Sequence, residues 1–233
     1  MAIDNTPLPR FIADACRDGI PIGRFAERLG GPFREALDGI DDLPEGTAMP
    51  EEITWFPERS WQGRIWIPAS AIGEAVMDSE EGPVPIEFYG YVSYIQPADG
   101  DPEDIRAVAD FTDVVAADNP DWKVDMSDEV IGTWNGERGR QADITLVWGT
   151  SLVPNGFAVT AEIAGVTVDQ DPLFEDRFTL VAPDALKKYS DDHFLEVCLW
   201  DERGREVARE SLYEIAETEP EDAENEADPA QRD

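Results

Sequence analysis

The chain of 233 residues contains 52 acidic and 18 basic residues, which gives a formal net charge of −34 at pH 7. Hydrophobic residues form 42% of the chain and seven tryptophans are present, so the composition excludes a wholly disordered protein. A chain of this length buries about 70% of its unfolded surface in one core and needs neither a disulfide nor a metal to fold.

The negative charge lies in both the body and the tail of the chain. Residues 217–233 contain eight acids and one arginine, which predicts a disordered acidic tail. The first 216 residues still contain 44 acids and 17 bases, so the body repels itself in dilute buffer. Molar salt screens such repulsion, and this charge with only three lysines is typical of halophilic proteins. An ordinary high-GC bacterial protein and a mimic of nucleic-acid charge are the alternatives.

The amino end predicts no targeting segment. Residues 1–10 carry an acid and two prolines and contain no apolar run of signal-peptide length. No window of the sequence approaches the roughly 18 apolar residues of a membrane span, so no membrane association is expected. Cys16 and Cys198 lie far apart in segments of different type, which argues against a disulfide framework. A cytoplasmic or virion location is therefore predicted over secretion.

Residues 1–43 are predicted to form a helical arm or cap. Apolar residues at helical spacing predict short helices in residues 9–19, 22–29 and 32–40, with glycines at the joints. Between residues 10 and 34 five arginines stand against three acids, which makes this segment locally positive. We expect it to cap the sheet or to bind another subunit, with four arginines as the contact residues: Arg10, Arg17, Arg24 and Arg28.

Nucleic-acid binding is not expected from this arm. The run RFAERLGGPFREAL resembles helix-turn-helix sequences, in which an alanine precedes the glycine of the turn by four residues, as Ala26 precedes Gly30. That turn usually continues with an apolar residue, and here Gly31 and Pro32 follow. The arm therefore fits a protein contact better than a DNA contact.

After a linker at residues 44–52, residues 53–216 predict a mainly β domain. The clearest segment is 142–165, where two runs with period-two alternation flank Pro154 and Asn155-Gly156. This pattern predicts a central antiparallel hairpin with one apolar and one wet face. A second hairpin is predicted at 194–213, and 85–96 is predicted to be a strand covered on both faces. The fold predicted is a two-layered antiparallel β-sandwich or a partly closed barrel.

Two segments of this domain do not show a clear strand pattern. Residues 70–77 predict a helical turn or a loop. In residues 101–117 the spacing of Ile105, Val108, Phe111 and Val115 favours a helix or an irregular crossover, although the β-branched residues near position 112 favour a strand.

Two acidic clusters are candidate calcium sites, because calcium prefers six to eight oxygen ligands from flexible loops. The first is predicted in a loop between strands and consists of Asp169, Asp171, Glu175 and Asp176. The second surrounds Trp122 and consists of Asp118, Asp121, Asp125, Asp128 and Glu129. Neither has the spacing of the twelve-residue calcium loop. No catalytic residue is assigned. Cys198, five positions after the single histidine His193, would point to the opposite face of a strand, and no glycine-flanked serine supports the alternative of a serine triad.

The aromatic residues of the domain are candidates for a contact surface. Trp55, Trp61 and Trp66, with Tyr89 and Tyr91, exceed what one core face needs, and aromatic side chains anchor many protein interfaces. The alternative is a second apolar layer beneath the amino-terminal helices.

We therefore expect a non-catalytic protein-binding or assembly component, such as a virion subunit, that contacts protein subunits or copies of itself. A carboxylate- or metal-dependent enzyme and an inhibitor that mimics nucleic-acid charge are the alternatives. Apart from calcium, no cofactor is expected.

Overall fold

The structure, a computed structural model, describes residues 19–75, 83–135, 141–184 and 195–212. The predictions for residues 1–18, for His193 and for the acidic tail at 217–233 lie outside these ranges. Within them the chain forms one α-helix, a short 3₁₀ helix at Ala116–Asp118 and twelve strands. The elements are α1 (Arg24–Asp38), β1 (Thr54–Trp55), β2 (Arg59–Trp61), β3 (Arg64–Ala75), β4 (Val84–Ile95), β5 (Glu103–Thr112), β6 (Val124–Asn135), β7 (Gln141–Ser151), β8 (Ala158–Ile163), β9 (Val166–Pro172), β10 (Arg177–Asp184), β11 (Leu195–Trp200) and β12 (Glu206–Ser211).

The strands form three antiparallel sheets. Sheet A has the order β1-β3-β4-β5, and β2 pairs with the first part of β3. Sheet B has the order β10-β7-β6, and sheet C has the order β12-β11-β8-β9. The predicted class, mainly β and antiparallel with an amino-terminal helix, is confirmed. The described chain contains no helix long and apolar enough to cross a membrane.

The layers follow the order α1, sheet A, sheet B, sheet C, so there are three sheets where two layers were expected. Leu29, Phe33 and Leu37 of α1 pack on one face of β3 and β4. The other face of sheet A packs against sheet B, through tryptophans of both sheets. The far face of sheet B packs against sheet C, through Phe178 and Leu180 among others. Sheet B is therefore covered on both faces.

The predicted central hairpin is wrong, although both of its strands exist. β7 pairs with β6 and β10 in sheet B, whereas β8 pairs with β9 and β11 in sheet C. The connection through Asn155-Gly156 crosses from one sheet to the other. The expectation of one wet face also fails for β7, because Trp148 faces sheet A while Val147 faces sheet C.

Residues 22–40 contain one helix where two were expected. α1 continues through Gly30, Gly31 and Pro32 without ending. Burial of its apolar side outweighs the unfavourable helix propensity of these residues, since Phe33 packs on Trp55 with ring centroids 6.0 Å apart. Gly30 is fully covered, and a Cβ there would lie 3.2 Å from the Arg34 side chain and 3.8 Å from Ile53.

Two other segments predicted as helix or loop are strands. Residues 70–75 continue β3, and Glu103–Thr112 is β5, the edge strand of sheet A. In β5 the inward residues are Ile105, Ala107, Ala109 and Phe111, a period of two, and they pack toward α1. Val108, which the helical pattern placed inside, is 41% exposed. The predictions for 85–96 and for the second hairpin are confirmed by β4 and by the β11-β12 pair.

Candidate functional site

The candidate functional site is a cleft of about 250 Å³ where sheet A meets β6 of sheet B. Its walls combine carboxylates with aromatic and apolar side chains. Sheet A and the segment that follows it contribute Glu87, Tyr89, Thr112, Val114 and Trp122, and β6 contributes Asp125, Met126, Ser127 and Asp128. A smaller recess beside it reaches inward to Phe56, Ser70 and Trp148.

Strand alternation places the cleft residues. In β4 the side chains of Ile86 and Phe88 point toward α1, so Glu87 and Tyr89 point toward sheet B. β6 approaches β7 closely beside the cleft because β7 has a glycine opposite Met126. A Cβ on Gly149 would overlap the carbonyl oxygen of Asp125. This close approach fixes the backbone that carries Asp125.

The two carboxylates at the base of the cleft are held in an unfavourable environment for negative charge. Burial, and then the charge of Asp125, raise the pKa of Glu87 to about 7, although a hydrogen bond with Ser70 opposes the shift. Burial also raises the pKa of Asp125. Among the described residues, no lysine or arginine forms an ion pair with either carboxylate, and none figures among the causes of their shifts.

The mouth of the cleft is acidic as well. Burial, followed by the charges of Asp110, Glu129 and Asp128, raises the pKa of the Tyr89 hydroxyl. Burial and the nearby Asp110 raise the pKa of Glu129. Negative potential therefore extends from Glu87 and Asp125 outward past Tyr89, which favours a cationic ligand over an anionic one.

Four buried acids in the described chain differ from this half-buried pair, because an arginine accompanies each of them. Arg59 contacts Asp169 and Asp171 in the interior. Glu162 pairs with Arg209 at 3.1 Å. Asp201 pairs with Arg205 at 2.6 Å and also accepts backbone hydrogen bonds. The cleft pair differs from these four carboxylates because no described lysine or arginine forms an ion pair with it.

The first acidic cluster does not form the predicted loop site. Asp169 and Asp171 lie in strand β9, and their side chains turn inward to Arg59. Glu175 is an exposed residue of the following turn, where it pairs with Arg177, and Asp176 lies beside it at positive φ. The described residues contain no group of three or more acidic, histidine or cysteine side chains that could hold a metal. The prediction of a calcium site in this cluster thus loses its geometric basis.

The second acidic cluster is divided by the fold. Asp118 and Asp121 lie in the connection before β6, while Asp125 and Asp128 line the cleft and Glu129 lies at its mouth. The sequence therefore located part of the site. It also predicted calcium there, whereas the described residues contain no group of three side chains that could hold a metal.

The tryptophans predicted as a contact surface are buried, so the expected exposure is wrong. Trp55, Trp61 and Trp66 are 6%, 9% and 8% exposed. Trp55 packs beneath α1, which is the alternative that the sequence left open, and the other two lie between sheets A and B. The aromatic surface that exceeds the needs of one core face is buried, because the fold has an additional sheet.

Of the arginines predicted to contact a partner, Arg24 and Arg28 are exposed on α1, and Arg10 and Arg17 lie outside the described residues. Arg28 forms an ion pair with Asp101 at 2.9 Å, which links the helix to the loop before β5. Arg28 thus contributes to the cap, and a role in partner binding for these arginines stays a prediction.

Glu87 was missed by the reading of the sequence. The sequence does indicate it, because Glu87 is the one acid in a strand whose two faces are otherwise mainly apolar and aromatic, PIEFYGYVSYI. A lone carboxylate in such a strand is covered when the strand is covered.

Comparison of the chain with protein-family models, with curated proteins and with solved structures finds no significant match.

Proposed function

We propose that the protein is a non-catalytic protein-binding component of a larger assembly and that its cleft receives a basic side chain of the partner. The observation that carries this proposal is the pair Glu87 and Asp125, two covered carboxylates without a described cation beside them. Two like charges in one partly dry site repel each other, and a bound cation removes that repulsion.

The aromatic walls support a lysine or arginine side chain as the ligand. Tyr89 and Trp122 line the same cleft as the carboxylates, and aromatic faces attract ammonium and guanidinium groups. The stem of such a side chain is apolar and fits against Val114 and Met126. A site for an inorganic divalent ion would instead need more oxygen ligands than these two carboxylates supply.

The position of the cleft also suits contact with another protein. It is lined by β6, an edge strand of sheet B, and by Thr112 at the end of β5, an edge strand of sheet A. The acidic mouth speeds encounter with a basic surface, and the deeper pair gives specificity for the inserted group. A virion or another multi-subunit particle is an assembly of the expected kind.

Binding is tested by titrating the full chain with capped peptides that contain one arginine or one lysine, with citrulline and acetyl-lysine peptides of the same sequence as neutral controls. Calorimetry should detect the charged peptides alone. Glu87→Gln and Asp125→Asn should each weaken binding about tenfold or more, because a buried charge pair contributes on the order of 1.5 kcal/mol or more. Glu202→Gln, in the exposed turn between β11 and β12, is the charge-matched control.

The pH dependence adds a second readout. A cation competes with the proton on Glu87, so the affinity of the arginine peptide should rise from about pH 6 to pH 8 and the rise should disappear in Glu87→Gln. Equal affinity for the arginine and citrulline peptides would contradict the proposal.

A carboxylate-dependent hydrolase is the second candidate, since a carboxyl group with pKa about 7 can act as a general acid or base near neutral pH. Hydrolysis of a panel of chromogenic glycosides that Glu87→Gln abolishes would favour it. A chain that binds the charged peptides without turnover of the panel would favour the binding component.

A further inference from the structure

One buried carboxylate joins the three sheets. Asp169 of β9 belongs to sheet C, and both of its oxygens contact the guanidinium of Arg59 on β2 of sheet A. Its Oδ2 also accepts a hydrogen bond from the backbone N–H of Val181 on β10 of sheet B, at 2.8 Å. The N–H of Gln170 donates to Oδ1 at 2.9 Å. The side chain of this single residue of sheet C therefore contacts both of the other sheets.

The charges at this junction do not balance. Arg59 is 1% exposed and supplies one positive charge, while Asp169 and Asp171 are 9% and 8% exposed and together supply two negative charges. Asp171 lies 3.7 Å from Nη1 of Arg59, too far for a good hydrogen bond. An uncompensated charge in the interior is costly, so a proton on one carboxyl makes the junction neutral.

The proton belongs on Asp171. Burial raises the pKa of Asp169 as well, but this carboxylate accepts hydrogen bonds from Arg59 and from two backbone N–H groups, all of which favour its ionised form. The charged groups that act on Asp171 are Arg59 and Asp169, and its cross-strand neighbour on β8 is the apolar Val159. Burial raises the pKa of Asp171 to about 6, more than the attraction of Arg59 lowers it.

We propose that the Arg59–Asp169–Asp171 junction is a proton-controlled lock, which a proton on Asp171 closes and loss of that proton loosens, so that sheet C separates from sheets A and B more readily. The folded state binds this proton more tightly than the unfolded chain does. The stabilisation is therefore complete below about pH 4 and is lost as the pH rises to about 6. This direction is opposite to that of an ordinary ion-paired aspartate.

The lock is tested by amide hydrogen exchange in the full chain from about pH 4 to pH 8, corrected for intrinsic rates. The reporters are the amide of Val181, which donates to Asp169, and that of Val197 in sheet C, with Val92 in sheet A as the internal reference. From the lower to the higher pH, the equilibrium constant for opening at the amides of Val181 and Val197 should increase up to about 100-fold relative to that at Val92. Each unit of pKa shift corresponds to a factor of about ten.

Two substitutions identify the group. Asp171→Asn imitates the protonated acid, so its sheet C amides should stay protected at pH 8 and should lose their pH dependence. Asp176→Asn removes an exposed carboxylate from the next turn and should behave as wild type, which controls for the change in net charge. The proposal is overturned if Asp171→Asn keeps the wild-type pH dependence, or if Val92 opens in parallel with the reporters.

Discussion

A carboxylate in a protein interior is costly unless a cation, hydrogen-bond donors or a proton compensates its charge. Arginines and backbone N–H groups compensate the charges of Asp169 and Asp201. Glu87 and Asp171 have fewer compensating contacts and raised pKa values, and each faces a second carboxylate. Burial raises the pKa of Asp169 as well. Residues that lack full compensation in this way are candidates for control by a bound ligand or a proton.

Glu87→Gln is predicted to stabilise the folded chain at about pH 8. Because the pKa of Glu87 rises from 4.5 to about 7 on folding, its ionised form is less favourable in the folded state, and its contribution to stability is lost as the pH rises through that window. Glutamine cannot ionise and keeps a donor or acceptor for Ser70. Urea denaturation should show a gain of about 1–3 kcal/mol at pH 8 that vanishes near pH 4. An equal gain at both pH values would contradict this explanation.

Asp169→Asn is predicted to destabilise the chain by about 1–3 kcal/mol, since an amide has one acceptor oxygen in place of two and leaves a buried donor of Arg59 or Val181 unsatisfied. Arg59 would keep only Asp171 at 3.7 Å, and Val181 N–H would keep a weaker acceptor. The free energy of unfolding at pH 7 measures this loss. Glu175→Gln, which removes one partner of the exposed pair with Arg177, is the control and should change stability by less than about 1 kcal/mol.

Cys198 is predicted to be inert toward thiol reagents in the folded state. It is fully buried, and burial, followed by the charge of Glu162, raises the pKa of the thiol to about 12. In a Cys16→Ser background, Ellman's reagent should label the native chain at the rate of unfolding and label the chain in denaturant at once. Fast native labelling would show that β11 is less well covered than the structure indicates.

At the scale of elements, the sequence predicted the strands better than their partners. Period-two alternation correctly placed strands at 144–148 and 157–163, but alternation describes faces and contains nothing about which strand lies alongside. The turn residues Pro154 and Asn155-Gly156 allow a hairpin and equally allow a crossing between sheets. The prediction of a helix end at Gly30 was also wrong, because packing of α1 outweighs the low helix propensity of Gly30 and Pro32.

Phe33→Ala tests whether α1 is part of the core. Phe33 is fully buried and contacts Trp55, so its removal should cost about 3–5 kcal/mol in free energy of unfolding. Glu35→Ala on the exposed side of the same helix is the matched control and should have little effect. A small effect of both substitutions would support a detachable arm. A large effect of Phe33→Ala alone means that the predicted arm at residues 1–43 includes part of the core and is not a separate docking segment.

At the scale of the molecule, the net charge of −34 opposes compaction. The midpoint of thermal unfolding is predicted to rise from low to molar KCl, because the Debye length falls to about 3 Å and repulsion between exposed acids is screened. Calcium at matched ionic strength should add nothing specific, since the described residues contain no cluster of three metal ligands. A large calcium shift at matched ionic strength would restore a metal site to consideration.

The sequence by itself determined the mainly β class, the amino-terminal helix and the acidic surface, since alternation, helical spacing and composition are local or summed properties of the residues. Only the tertiary structure decided that there are three sheets, that Trp61 and Trp66 are buried and that Glu87 meets Asp125. Those outcomes depend on pairing between strands far apart in the chain. The free energy of such pairing comes from burial between layers, which no single segment encodes.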